Sequence, residues 1–209
     1  MVKTPLMGNG DFRSQECINI LKESDIVCTN PPFSLFREYV AKLMEYNKQF
    51  LIIGNKNAVS YKEIFPLIKD NKIWMGVTKP KDFFIPAENG EGVVLSKKVN
   101  GITIWFTNIP NKKHNEPMVL TATYAEGLNH REDYPKYDNY DAIEVSRCKN
   151  IPCDYDGIMG VPITFLDDYC PEQFEILYCS ACSSKENYGC GSLYVLGKEK
   201  YVRILIKRK

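Results

Sequence analysis

The fold is decided by one stretch, Asp-Ile-Val-Cys-Thr-Asn-Pro-Pro-Phe at residues 25–33. Its apolar run at residues 26–28 predicts a buried strand. Two consecutive prolines end that strand, because neither has an N–H to donate to a sheet ladder. The first proline also favours an extended backbone at Asn30. The stretch therefore predicts Asn30 in a stiff turn just past the carboxyl end of a strand, the edge of an open α/β sheet at which ligands bind.

This turn offers hydrogen-bond acceptors beside an aromatic ring. The side-chain oxygen of Asn30 and the carbonyl of Pro31 can both accept from an exocyclic amino group, while the Phe33 ring stacks on the base that carries it. An Asn-Pro turn can also close a strand with no ligand present. The order strand, Asn-Pro-Pro-Phe, helix favours the functional interpretation. We therefore predict that Asn30, Pro31, Pro32 and Phe33 act in transferring a methyl group to an amine nitrogen of adenine or cytosine.

Hydrophobic periodicity places helices between the early strands. It predicts a helix capped by Ser14 that runs to about Lys22, a helix capped by Ser34, and a third helix over residues 60–70. The predicted strands are residues 25–29, 50–53, 73–77 and 102–107, with a Gly/Pro-rich excursion over 80–101. Alternation of strand and helix over residues 11–75 predicts an α/β fold with a parallel, doubly wound sheet.

The second half of the chain has a different character. Residues 112–166 are rich in Tyr, Asp, Asn and Pro with little periodicity, which predicts ordered loops. Short strands are predicted at residues 174–178, 193–196 and 201–206. We therefore divide the chain into two parts, residues 1–111 and 112–209.

Composition places few limits on function. The chain has 209 residues, is 44% hydrophobic and 25% charged, and has a net charge of +1, an ordinary globular balance. That charge neither supports nor excludes nucleic acid, because only a locally basic face matters. No apolar run approaches the ~20 residues that span a bilayer, and the start lacks the apolar run of a signal peptide. We predict a cytoplasmic protein, with no membrane partner, whose eight cysteines are reduced thiols.

Four cysteines near the carboxyl terminus raise the possibility of a metal site. Cys179-x-x-Cys182, with Cys170 and Cys190 nearby, could bind Zn²⁺ tetrahedrally. The sequence has one Cys-x-x-Cys pair and the outer spacings are irregular. Cysteine also serves as a small buried apolar residue. We predict no metal site here.

Several segments in order resemble the EcoRI-type adenine-specific DNA methyltransferases. They are Gly-Asp-Phe-Arg-Ser (10–14), Asn-Pro-Pro-Phe-Ser-Leu-Phe-Arg-Glu-Tyr-Val (30–40), Phe-Leu-Ile-Ile-Gly-Asn (50–55), Ile-Trp-Phe-Thr-Asn (104–108), Tyr-Pro-Lys-Tyr-Asp-Asn-Tyr-Asp-Ala-Ile (134–143), Pro-Cys-Asp-Tyr-Asp-Gly-Ile-Met-Gly-Val-Pro-Ile-Thr-Phe-Leu (152–166) and Tyr-Val-Arg-Ile-Leu-Ile-Lys-Arg-Lys (201–209). The resemblance covers most of the chain, so it is more specific than the Asn-Pro-Pro-Phe motif alone.

The resemblance implies a Rossmann-like methyltransferase sheet, S-adenosylmethionine as methyl donor, and the N6 nitrogen of adenine in duplex DNA as acceptor, in a restriction–modification or orphan, phage-type enzyme. It makes residues 1–111 the catalytic domain and 112–209 a loop-rich α+β part that recognises the target. By resemblance, Asp11 accepts from the adenine amine of the donor, Phe12 packs on that ring, and Asn30 also borders the donor. The alternative for Asp11 is a loop residue that caps the next helix.

Two groups of residues are predicted to contact DNA. Asn55, Lys56 and Asn57 end the next strand at the same sheet edge, although a plain left-handed turn is the alternative there. The loop cations Lys112, Lys113 and Arg131 can neutralise phosphates, although such cations are ordinary on surface loops.

One departure from the family concerns the first residues. Family members have, upstream of Gly-Asp-Phe, a glycine-containing loop for the methionine part of the donor and an acidic residue for its ribose. Too few residues precede Gly10 for two such units. We therefore expect an incomplete N-terminus, with a missing N-terminal half or a partner chain completing the donor pocket.

Other functions fit the same motif. Asn-Pro-Pro-aromatic suits any planar amine or amide, so cytosine N4, RNA adenine and a glutamine side chain are alternative acceptors. A non-catalytic DNA-binding remnant, or one subunit of a split methyltransferase, is the alternative that does not require activity of this chain alone.

Overall fold

The computed structural model describes residues 5–80, 82–87, 92–96, 101–124, 133–182 and 188–209. It is a mixed α/β fold with several sheets. The chain groups into two compact units, the first formed by residues 1–56 and 78–109 and the second by residues 57–77 and 110–209. Residues 57–77, which the sequence division placed in the first part, thus group with the second unit.

The elements are numbered in chain order. The helices whose bounds lie within the described residues are α1 (Gln15–Glu23), α2 (Phe36–Glu45) and α3 (Phe65–Lys69). The strands are β1 (Ile26–Thr29), β2 (Gln49–Asn55), β3 (Trp74–Met75), β4 (Phe83–Pro86), β5 (Val93–Ser96), β6 (Thr103–Thr107), β7 (Ile143–Glu144), β8 (Met159–Pro162), β9 (Phe174–Cys179), β10 (Tyr194–Val195), β11 (Lys198–Glu199) and β12 (Arg203–Arg208). Short 3₁₀ helices cover Phe33–Leu35, Lys56–Ser60, Lys113–Asn115, Cys148–Asn150 and Ile163–Asp167.

The sheet of the first unit has β2 between β1 and β6. β1 runs parallel to β2, with Ile26 opposite Gln49, whereas β6 runs antiparallel to β2, with Leu51 opposite Thr107. The parallel pairing predicted for residues 11–75 is therefore confirmed for β1 and β2, and β6, which lies outside that stretch, adds an antiparallel strand. Parallel neighbours need a crossover, which α2 supplies between β1 and β2. Before β6, within the Gly/Pro-rich excursion over residues 80–101, β4 and β5 pair antiparallel.

The two helices of the first unit begin differently. α1 begins as predicted, because the Ser14 side chain accepts a hydrogen bond from the Cys17 backbone N–H at 3.2 Å. The predicted cap of α2 is wrong. Ser34 lies inside the 3₁₀ turn that the Leu35 N–H closes onto the Pro32 carbonyl at 3.0 Å, so it lacks the extended backbone of an N-cap.

The core of the first unit depends on a glycine in β2. The rings of Phe36 on α2 and Phe106 on β6 pack tilted, with centroids 4.9 Å apart, and both are buried. A Cβ atom at Gly54 would lie 2.6 Å from Phe36 Cε2 and 2.7 Å from Phe106 Cε2. Glycine at this position therefore lets α2 pack closely on the strand whose parallel neighbour leads to Asn30.

In the second unit, β12 lies between β8 and β9, and β7 pairs with β8. In this sheet β7 runs parallel to β8, whereas β12 runs antiparallel to both β8 and β9. The short strands predicted for the last 40 residues are confirmed as β9, β10 and β12, with β12 displaced two residues towards the carboxyl terminus. The predicted helix over residues 60–70 is shorter than expected. Pro66 belongs in a first turn because it lacks an N–H, and α3 accordingly begins at Phe65.

A buried ion pair joins two strands of this sheet. Glu144 on β7 is 2% exposed and accepts from Arg203 on β12, with Nη2–Oε1 2.6 Å and Nε–Oε2 3.0 Å. The Tyr137 hydroxyl also donates to Glu144. Burial, together with this hydrogen bond, raises the pKa of Tyr137, so its hydroxyl stays protonated. Gly160 on the intervening strand β8 leaves the space that the Tyr137 ring fills.

Candidate active site

The first unit contains a cavity of about 460 Å³ beside the carboxyl end of β1. Its wall is formed by the loop before α1, by α1 and the residue after it, by β1 and the turn that follows it, and by one face of α2. The cavity is lined by Asn9, Gly10, Asp11, Phe12, Cys17, Ile20, Leu21, Ser24, Val27, Thr29, Asn30, Pro31, Pro32, Leu35, Tyr39, Lys42 and Leu43. Its volume is within the range of pockets that bind small molecules.

Asn30 and the two prolines occupy the predicted place. Asn30 directly follows the last residue of β1, and its side chain is exposed. Pro31 is buried and anchors the turn, while Pro32 is exposed and its carbonyl closes the next 3₁₀ turn. All three line the cavity together with Asp11 and Phe12, which come from a different part of the chain.

Phe33 lies at the start of the 3₁₀ helix, immediately past these prolines. It is 38% exposed, so its ring is not part of a closed core. It is not among the described residues that line the cavity. The structure therefore brings Asn30, Pro31 and Pro32 to the cavity and leaves Phe33 exposed beside them in the chain.

Asp11 presents a carboxylate at the cavity. Arg13 donates to both of its oxygens, with Nε–Oδ1 3.0 Å and Nη2–Oδ2 2.8 Å, and the Arg13 backbone N–H also donates to Oδ1 at 2.9 Å. These hydrogen bonds lower the pKa of Asp11 to about 2, so the group is ionised at neutral pH. Because Ser14 caps α1, the alternative role of Asp11 as that cap is wrong.

Phe12 is held by two neighbours. Tyr39 on α2 meets its ring edge-on, with centroids 5.0 Å apart and an interplanar angle of 73°. The Arg13 guanidinium carbon lies 5.4 Å from the Phe12 ring centroid. Burial raises the pKa of Tyr39, which keeps its hydroxyl neutral. Sequence reasoning did not assign Tyr39 or Arg13 to the site, although Tyr39 follows Phe36 at helical spacing and Arg13 adjoins the Asp-Phe pair.

The residues after β2 form a 3₁₀ helix rather than the left-handed turn that was the alternative to DNA contact. Residues 56–60 are a 3₁₀ helix, and the non-glycine residues with positive φ lie elsewhere among the described residues, so a left-handed turn is wrong here. Asn55 and Lys56 are half-buried, and the Lys56 backbone N–H donates to the Ile102 carbonyl at 2.7 Å. Asn57 is exposed. DNA contact by these three residues stays a prediction.

The predicted loop cations have different surroundings. Lys112 is exposed and precedes the 3₁₀ helix Lys113–Asn115. The Lys113 ammonium lies 2.8 Å from Asp168 Oδ1, so its charge is already paired with a carboxylate. Arg131 lies outside the described residues. DNA contact by these cations also stays a prediction.

The four cysteines of the metal alternative are free thiols. Cys170, Cys179 and Cys182 are buried, whereas Cys190 is half-buried. The Cys182 thiol donates to the Ser60 carbonyl at 3.3 Å, and the neighbouring Cys179 thiol together with burial raises the pKa of Cys182. Within the described part of the chain, no group of three or more His, Cys, Asp or Glu side chains could hold a metal ion. In the same part, no helix combines the length and apolar character needed to cross a membrane.

Comparison with known proteins identifies the family. The family model for adenine-specific methyltransferase EcoRI matches residues 1–209, and the chain belongs to that family. It is 48% identical to the Type II methyltransferase M.EcoRI of Escherichia coli, over 97% of this chain and 63% of the relative. It is 42% identical to M.MgeORF184P of Mycoplasma genitalium, over 100% of this chain and 72% of the relative. It is also 42% identical to M.MpnI of Mycoplasma pneumoniae, over 98% and 70%. The chain thus spans about two thirds of the length of these relatives. No solved structure gives a significant match.

Proposed function

We propose that this chain provides the catalytic region of a site-specific DNA methyltransferase that transfers a methyl group from S-adenosylmethionine to the N6 nitrogen of adenine. One observation supports this most strongly. The Asn30-Pro31-Pro32 turn and the Asp11-Phe12 pair come from different segments yet line one cavity at the carboxyl end of β1. Membership of the adenine-specific family favours adenine over the other planar amines and amides.

The cavity residues fit the adenine end of the donor. Asp11 is an ionised acceptor suited to an exocyclic amine, and Phe12 is a half-buried ring beside it. Both side chains are held in place, since Arg13 binds the carboxylate and Tyr39 supports the ring. When bound, S-adenosylmethionine supplies a methyl group on a sulfonium, which needs no metal to activate it.

Asn30 and Pro31 would position the other reactant. The Asn30 side-chain oxygen and the Pro31 carbonyl accept from the target amine, which directs the nitrogen lone pair towards the methyl group. The amine loses its proton after the new C–N bond forms, so no general base is required. Orientation and fixed dipoles then supply most of the rate enhancement.

The target adenine must leave the duplex to reach this turn. Flipping costs a few kcal/mol of stacking and pairing energy. The exposed Phe33 ring beside the turn offers a stacking surface, worth roughly 1–3 kcal/mol per base in single-strand systems. Stacking on Phe33 would therefore offset much of the cost of flipping.

A chimera tests the proposed function. This chain replaces the matching 70% of M.MpnI, so that the rest of a relative surrounds it. Labelled S-adenosylmethionine and duplex DNA are supplied, and the DNA is digested to nucleosides for mass spectrometry. We expect N6-methyladenine. A folded chimera that produces N4-methylcytosine, or methylates only protein, contradicts the proposal, as does a folded chimera that transfers no methyl group.

A further inference from the structure

We propose that Arg13 is a positioning residue for the donor-adenine site, where its guanidinium fixes the Asp11 carboxylate and the Phe12 ring and ties both to α2. This inference rests on the proposed function. It assigns a role to a side chain that does not line the cavity itself.

Arg13 holds the Asp11 carboxylate in a fixed orientation. Nε and Nη2 each bind a different oxygen of Asp11, at 3.0 and 2.8 Å, which fixes the plane of the carboxylate as well as its position. The Arg13 backbone N–H takes a second site on Oδ1, at 2.9 Å. An ionised carboxylate has about four acceptor sites, so these bonds leave one on Oδ2 for a ligand amine. The carboxylate is therefore oriented but not saturated.

Arg13 also links the loop that carries Asp11 to α2. The remaining nitrogen, Nη1, donates to Glu38 Oε2 at 3.1 Å. Glu38 is on α2, which follows the Asn-Pro-Pro turn after one short 3₁₀ helix. One guanidinium thus joins the loop that presents Asp11 to the helix that leads away from Asn30. The ionised side chains that face Arg13 in the described structure are Asp11 and Glu38.

The three charged side chains of this group are substantially exposed to solvent. The side chains of Arg13, Asp11 and Glu38 are 50%, 33% and 56% exposed. Ion pairs this exposed contribute little to folding stability, because water screens them and ordering long side chains costs entropy. Loss of Arg13 is therefore expected to change ligand binding far more than stability, which separates a positioning role from a structural one.

Arg13 also lies against the ring of Phe12. The Arg13 guanidinium carbon lies 5.4 Å from the Phe12 ring centroid, and Tyr39 contacts the same ring edge-on. A cation close to an aromatic ring is attracted by its negative face. Arg13 thus restrains both side chains that are proposed to contact adenine. It holds Asp11 by hydrogen bonds and Phe12 by a cation–π contact.

The test uses 5′-methylthioadenosine, which keeps the adenine, ribose and methylthio group of the donor and lacks its amino-acid chain. Its inosine analogue replaces the 6-amino group with a carbonyl, which removes the donor for Asp11. Affinities of both probes are measured by calorimetry for the wild-type chain, Arg13→Gln, Arg13→Lys and the control Arg147→Gln. Arg147 is an exposed arginine of the second unit.

We expect the wild-type chain and Arg147→Gln to prefer the adenosine probe by at least about tenfold, the value of one hydrogen bond to a charged group. Arg13→Gln should lose most of that preference, while its urea midpoint stays that of the wild type. Arg13→Lys should recover part of it, because an ammonium replaces the charge but cannot bind both oxygens in a fork.

Two outcomes overturn the proposal in different ways. If the wild-type chain prefers the adenosine probe and Arg13→Gln keeps the same preference, Arg13 has no positioning role and the donor site still stands. If the wild-type chain shows no preference between the probes, the assignment of Asp11 to the donor adenine fails, and the role of Arg13 fails with it.

Discussion

Replacing Asn30 with alanine is expected to slow methyl transfer by about 10²–10³-fold, the typical loss when one preorganised polar group is removed from a transition state. Asn30 is an exposed residue at the cavity, directly after β1, where its side-chain oxygen would accept from the target amine. That bond is made only after the base has flipped. Affinity for duplex DNA, which depends mainly on phosphate contacts, should therefore change little.

Two variants of the chimera separate chemistry from folding. Asn30→Asp keeps an acceptor oxygen and should retain more activity than Asn30→Ala. Asn19→Ala makes the same chemical change on the exposed face of α1, outside the cavity lining, and should methylate at the unmodified rate. Methyl incorporation is measured beside a DNA titration at fixed salt. Wild-type turnover by Asn30→Ala would place the target pocket elsewhere.

Replacing Arg203 with leucine is expected to lower the free energy of unfolding by about 3–5 kcal/mol, the usual cost of removing one partner of a buried ion pair. Glu144 is 2% exposed and accepts three hydrogen bonds from Arg203. Burial alone would lower the pKa of Arg203, but its hydrogen bonds and attraction to Glu144 outweigh that effect and raise it. Without Arg203, the Glu144 carboxylate keeps only the Tyr137 hydroxyl as a side-chain partner among the described residues.

Lys207→Leu provides the matched control, because Lys207 is an exposed cation on the same strand. It should change the free energy of unfolding by less than about 0.5 kcal/mol, as is usual for surface substitutions. Urea unfolding followed by circular dichroism measures both variants. Equal midpoints for Arg203→Leu and Lys207→Leu would show that the buried pair does not stabilise the second unit.

The local features of the site could be predicted from sequence because neighbouring residues determine them. Two prolines end β1 and fix Asn30 at its carboxyl end, whichever residues pack around them. The Ser14 side chain caps α1 by accepting a hydrogen bond from the backbone N–H of Cys17, three residues further along the chain. The prediction that Ser34 caps α2 was wrong for an equally local reason, since the 3₁₀ turn that follows the prolines includes Ser34.

Features that depend on distant residues were not predictable in this way. The antiparallel direction of β6 follows from how the chain returns to β2, which periodicity does not encode. The Glu144–Arg203 pair joins residues 59 positions apart. Tyr39 has the spacing of an ordinary core position on α2, and only the packing of the helix brings its ring to Phe12.

The proposed function requires that the Asp-Phe loop, which would hold the adenine of the donor, and the Asn-Pro-Pro turn, which would hold the target amine, border one shared site. Titration of the ¹⁵N-labelled chain with 5′-methylthioadenosine tests it most directly, because each backbone amide reports its own surroundings. We predict that the largest shifts occur at the amides of Gly10, Asp11, Phe12, Thr29 and Asn30, which line the same cavity. Saturable shifts confined to the second unit would contradict the claim, and so would the absence of any shift at millimolar probe.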